Sequence, residues 1–190
     1  MSPTVLSRPA ACFALGAVVG TALDGIHVYG DVLSYSSPDF GRWAWFVPIE
    51  FGLVAVLGYF VVLAIERGSR PVTAARAAGE LVLFACLYGA TALLDGDGAP
   101  FLAAGLGLLA LARLALGDGG DLPYVVIAAI AGPLGEALIS ATDAFSYANP
   151  DLIGIPCWLP ALWANGGFLI RRVLKLLAPG PPARTAEGRS

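Results

Sequence analysis

Charge is what this sequence has least of. Lys, Arg, Asp and Glu make up 13% of its 190 residues, against about 25% in a soluble domain. Mean hydropathy is +0.76. A chain this poor in charge cannot coat a soluble core of its own size, and an ordinary soluble domain is excluded. Cysteine is scarce too. Cys12, Cys86 and Cys157 are isolated thiols without C-x-x-C spacing, which argues against a disulfide framework or a thiolate metal site. His27 is the one histidine, so no second His can share a metal with it. No H-E-x-x-H, G-x-S-x-G or Walker loop occurs, so the chain offers neither a nucleophile nor a phosphate cradle. Asp95-Gly96-Asp97-Gly98 resembles part of a calcium loop, but it lacks the later ligands and the closing Glu, and it reads as a short turn between helices. A net charge of -3 without a basic stripe leaves no footprint for nucleic acid.

What remains is grease. Apolar stretches cover residues 9–28, 47–65, 72–94, 100–116, 122–140 and 158–177. Each has about the 17–25 residues of a membrane-spanning helix. They are rich in Leu and Ala and show no period of two, so helices are expected rather than a barrel. The expected fold is all-α: a polytopic bundle of six transmembrane helices in one domain over 1–178, with a disordered tail at 179–190. Ten of the eleven Lys and Arg fall on one side of this threading: Arg8, Arg67, Arg70, Arg76, Arg113, Arg171, Arg172, Lys175, Arg184 and Arg189. Only Arg42 falls on the other, with Asp31, Asp39, Asp95, Asp97, Asp143 and Asp151. The positive-inside rule then places both termini and the tail in the cytoplasm. The first segment reads as a span and not a signal peptide, because a repeat begins inside it.

That repeat is the most specific feature. Residues 20–48 align on 132–160 without a gap, with seven identities in 29 positions. These are Gly20/Gly132, Asp31/Asp143, Ser34/Ser146, Tyr35/Tyr147, Pro38/Pro150, Asp39/Asp151 and Pro48/Pro160, and Asp24 meets Glu136 in the same register. The first and last helix pairs are therefore related and share one orientation, a common way to enclose a site inside a membrane. Ionisable groups within spans are costly to bury and are functional candidates for that reason. Here they are Asp24, Glu50, Glu80 and Glu136, with His27 near a helix end. The repeat mates Asp24 and Glu136 are the expected polar anchors of a site, unless they simply reach water at the outer interface. Glu50, in the first turn of its helix, suits the helix dipole. Glu80 is expected to pair with Arg76 at i−4. Gly16-x-x-x-Gly20, Gly105-x-Gly107 and Gly166-Gly167 allow close helix contacts, and Pro133 can kink the fifth span. Trp43, Trp45, Trp158 and Trp163 fall near the outer interface, as an aromatic belt would, though Trp158 stands beside a repeated proline.

The last 60 residues carry a family resemblance. Tyr147-x-x-Pro150-Asp151, then Trp158-Leu159-Pro160, then Gly166-Gly167, is similar to the final loop and sixth span of the Insig proteins, the sterol sensors of animal endoplasmic reticulum. Phe46-Val47-Pro48 with Gly52 resembles the opening of their second span, and Asp95-x-Asp97 the turn after their third. The short, Ala/Gly-rich chain resembles a bacterial homologue. The resemblance implies a non-enzymatic six-helix fold around a lipid-holding cavity. Animal Insigs hold oxysterols and retain Scap and HMG-CoA reductase. A bacterial relative is expected to lack those partners and to hold a diacylglycerol-like or sterol-like lipid, with no other cofactor. Carried over by alignment, Phe84 matches a family phenylalanine at the sterol site, while Phe101 and Gly105 stand where the animal proteins have polar sterol contacts. Asp118 matches a partner-binding loop aspartate only if two residues are deleted after it.

The expected function is lipid binding in the bundle, in a homo-oligomer such as a trimer at the bacterial plasma membrane. Phe84, Tyr88, Phe101, Gly105 and Trp163 are the expected contacts. A small proton-coupled transporter using the buried acids is the alternative, and a lipid-modifying enzyme working through Glu136 is a third reading.

Overall fold

A computed structural model of the chain describes residues 3–66, 71–117 and 119–178. Asp118 and the tail at 179–190 lie outside the described residues. Six helices form: α1 (Pro3–Tyr29), α2 (Val47–Ile65), α3 (Ala74–Leu94), α4 (Ala99–Leu116), α5 (Leu122–Ser140) and α6 (Leu159–Leu177). Two short strands, β1 (Leu33–Tyr35) and β2 (Phe145–Tyr147), lie in the loops after α1 and α5. Helices α2, α4, α5 and α6 each open with proline in the first turn, where its missing N–H costs nothing. The Thr73 hydroxyl caps α3 by accepting from the Arg76 N–H at 3.2 Å. Helix α5 runs through Pro133 and α1 through Pro9 without a break.

Five of the six helices are long and apolar enough to cross a membrane. The exception, α6, explains itself by position. It packs against α2, α3, α4 and α5, and touches α1. Being central, it meets protein on most sides and can carry Asn165, Arg171, Arg172 and Lys175, which helices facing lipid could not. Trp158, Leu159 and Leu162 at its start are at most 1% exposed.

The repeat is visible in the backbone. Helices α2 and α6 begin in the same register, and their caps Phe46 and Trp158 have nearly equal dihedrals, φ −77° and ψ −19° against φ −77° and ψ −16°. Strands β1 and β2 pair antiparallel with Ser34 opposite Ser146, hydroxyl to hydroxyl at 3.3 Å. The Ser36 N–H donates to the Ala144 carbonyl at 3.1 Å, and the Ala148 N–H to the Val32 carbonyl at 2.8 Å. These bonds exchange under the repeat, so a local twofold passes between the two serines. The other identities have jobs as well. Asp31 and Asp143 adopt φ 58° and 60°, a left-handed turn that Asp tolerates better than most residues. Asp39 accepts from the Trp45 N–H at 3.0 Å, and Asp151 from the Cys157 N–H at 2.5 Å. Gly20 and Gly132 lie under Phe51 and Trp163, themselves repeat mates, and a Cβ at either glycine would collide with the ring.

Candidate functional site

The two tyrosines of the repeat turn inward onto the two acids. The Tyr35 hydroxyl donates to Asp24 Oδ2 at 3.1 Å. Its mate Tyr147 donates to Glu136 Oε2. Burial, with the acids alongside, holds both phenols above their ordinary range, so they stay protonated and donate. Trp163 Nε1 donates to Glu136 Oε1 at 2.5 Å. On the other half the Trp43 indole lies beside Asp24, but its buried N–H completes no hydrogen bond. Glu50 enters from α2, half-buried. The three acids, with Tyr35, Tyr88, Tyr147 and Trp163, line a chamber of about 80 Å³ beneath the strands. His27 forms its back wall. It is 2% exposed, its Nε2 lies 2.8 Å from Thr91 Oγ1, and its ring stacks on Tyr88 at 4.4 Å between centroids.

A second space of about 160 Å³ follows, lined by α1, α2, α3 and α6 and almost wholly apolar. It runs from Leu23 to Cys12 along α1, roughly 17 Å at 1.5 Å per residue. Phe51, Val54, Tyr88 and Trp163 line both spaces, so they adjoin at the Phe51 and Trp163 rings. The whole cavity is polar at one end and apolar along the rest. Among the described residues its polar end holds acids, tyrosines and a committed histidine, and no Lys or Arg. It can accept hydrogen bonds from hydroxyls or amines and would repel a phosphate.

At the opposite end of the bundle, charges lock α6 to its neighbours. Arg171 pairs with Glu66 at 3.0 Å and Asp121 at 2.7 Å, Arg172 Nη2 with Asp121 at 2.8 Å, and Lys175 with Glu66 at 2.8 Å. Burial alone would push the Asp121 carboxyl up, but the hydrogen bonds and charges of Arg172 and Arg171 outweigh it and hold it below the usual carboxylate range. Glu80 is not paired with Arg76, as the i−4 spacing led one to expect. It pairs with Arg113 of α4, which also donates to Asn165 at 3.1 Å and lies over the Phe168 ring. A partly buried tertiary partner outcompetes an exposed one on the same helix.

Two comparisons place the chain. Residues 77–185 match the protein family described as "Protein of unknown function (DUF2878)". The chain belongs to that family. Its architecture is similar to MvINS, a mycobacterial Insig homologue from Mycobacterium vanbaalenii. The TM-score is 0.75 with 24% identity, over 90% of this chain and 94% of that one. A cross-linked MvINS trimer matches with the same TM-score and coverage at 25% identity. No curated protein matches the sequence. This DUF2878 protein is thus a polytopic membrane protein of the Insig type, as its loop motifs indicated.

Within the Insig-type fold the residues singled out from sequence divide three ways. Phe84, Tyr88 and Trp163 line the apolar space, and Tyr88 and Trp163 reach the chamber with Asp24 and Glu136. Phe101 and Gly105 do not join them. They stand on a separate α3–α4 face with Leu94 and Leu109, where Phe101 is 80% exposed. Alignment placed them on a spanning helix, but their face of α4 turns away from α6. The loop motif is structural. Trp158 is 0% exposed, and its indole N–H donates to Asp95 Oδ1 at 2.8 Å while Asn149 donates to Oδ2 at 2.9 Å. Pro160 opens α6, Asp151 holds its loop, Pro150 precedes that aspartate, and Gly166 and Gly167 admit Phe84 and the α5 backbone. Of the tryptophans, Trp45 is exposed as a belt residue would be, and Trp158 is not. Glu50, Tyr35 and Phe51 were missing from the expected site. Tyr35 and Phe51 were legible as repeat mates of Tyr147 and Trp163. Glu50 was singled out only as an ionisable group within a span, its repeat mate being Leu162.

Proposed function

We propose that this protein holds a single membrane lipid, with its head among Asp24, Glu136 and their tyrosines and its chain along Phe84, Tyr88 and Trp163. The observation that supports this reading is the adjoining pair of spaces, polar at one end and apolar along the rest, the division a lipid itself has. The polar end lacks cationic groups, so the favoured ligand is diacylglycerol-like or sterol-like, with a free hydroxyl and no phosphate. The function proposed is binding rather than turnover. The Insig-type fold does not favour the transporter alternative. A cross-linked MvINS trimer exists, and three copies are proposed here also, in the bacterial plasma membrane with both termini cytoplasmic. Scap-like partners are not part of the proposal.

Native mass spectrometry of the detergent-purified protein, with identification of the lipid that travels with it, tests this directly. One hydroxyl-bearing lipid per subunit is the expected result. A bulk phospholipid mixture that strips easily would refute it.

A further inference from the structure

Three acids line the chamber, but they are not equivalent. Both oxygens of Glu136 are occupied, one by Tyr147 and one by Trp163. Asp24 holds Tyr35, with the Trp43 indole at its side. Glu50 accepts no hydrogen bond and makes no ion pair among the described residues. A half-buried carboxyl without a partner is costly, and a fold keeps one only where something else supplies the donor.

The repeat shows that the fold itself does not ask for Glu50. Helices α2 and α6 start alike, with matching caps and a proline in the first turn, yet α6 has no acid in its first turn. A helix start of this kind therefore does not require an acid. Its mate Leu162 is 1% exposed and packed in the core, whereas Glu50 faces open space. The pseudo-twofold is broken at the one acid of the chamber that has no hydrogen-bond partner among the described residues. His27 is engaged by Thr91, and none of the lining groups donates a hydrogen bond to Glu50 in the structure.

We infer that Glu50 is the group that reads the ligand's head: it accepts a hydrogen bond from a hydroxyl at the end of a phosphate-free lipid. Asp24 and Glu136 then hold the tyrosines that frame the chamber. This rests on the lipid-binding reading above.

The test compares 1,2-diolein with its 3-O-methyl ether, which keeps both chains and loses only the donor, by titration of the full chain in nanodiscs. The wild type should prefer the free hydroxyl by about tenfold, the upper scale of a single hydrogen bond. Glu50→Leu, which copies Leu162, should bind both lipids equally, and Glu50→Gln should restore part of the preference. Asp121→Asn, in the ion-pair lock at the opposite end of the bundle, should lower the melting temperature yet keep the preference. A Glu50→Leu protein that retains the tenfold preference sinks the inference and leaves lipid binding intact. A wild type that binds neither lipid sinks both.

Discussion

Glycines 132 and 135 lie one turn apart on α5, and both line the chamber, yet they ask for opposite outcomes. A Cβ at Gly132 would run into the Trp163 ring, while one at Gly135 meets nothing within 4 Å. Gly132→Ala must shift an indole that is bonded to Glu136, and a loss of about 1–3 kcal/mol is expected. Gly135→Ala should leave the melting temperature unchanged or raised. Paired thermal melts in one detergent read the contrast, and equal losses would mean that Trp163 does not rest on α5 as described. Part of this was legible in the sequence. The identity Gly20/Gly132 marked a position where both halves forbid a side chain, but only the structure showed that an aromatic at a second matched position, Phe51 or Trp163, is what forbids it. Nothing in the sequence separated Gly135 from Gly132, because the difference lies in what a neighbouring helix places overhead.

At the scale of the element, α6 is where composition and position part. Read alone, Arg171, Arg172 and Lys175 look like cytoplasmic charges at a helix end. In the bundle, Arg171 and Arg172 are 1% and 2% exposed and share Asp121 at the start of α5. Such a buried cluster is strongly destabilising when one member is removed, by about 3–5 kcal/mol, because the remaining charges are left uncompensated. Asp121→Asn should therefore lower the melting temperature sharply at neutral pH. The pH dependence has a definite sign. The folded-state Asp121 sits below the ordinary carboxylate value of about 3.9. Its contribution is then complete above that value and is lost as pH falls through the folded one. The wild type should lose this stability below about pH 4, and Asp121→Asn should lack that part of the acid transition. Melts across this range check it, and an identical acid transition in the variant would remove Asp121 from the lock.

For the whole molecule, the paired hairpins α1–α2 and α5–α6 make the repeat a scaffold, with α3 and α4 closing it against α6. The apolar exterior, with Leu93 and Leu116 more than four-fifths exposed, suits lipid and gives this fold no stable home in water. Orientation follows from charge: a C-terminal reporter that is active only in the cytoplasm should report there, and one active only outside should stay silent. The reverse pattern would overturn the assignment of sides. In native mass spectra a three-subunit species is expected to dominate, and a protein that stays monomeric at every detergent concentration would refute the trimer.

Sequence by itself determined the membrane class, the helices, and the relation between the two ends of the chain, because hydropathy and an ungapped repeat are properties of order along the chain. The loop motif also carried the Insig-type family resemblance. Tertiary structure alone decided which residues meet. It brought Asp24, Glu50 and Glu136 to one chamber, sent Phe101 and Gly105 to another face, and gave Glu80 to Arg113 instead of Arg76. Such choices depend on which side each helix turns to its neighbours. In a helix apolar all round, periodicity carries almost no record of that side.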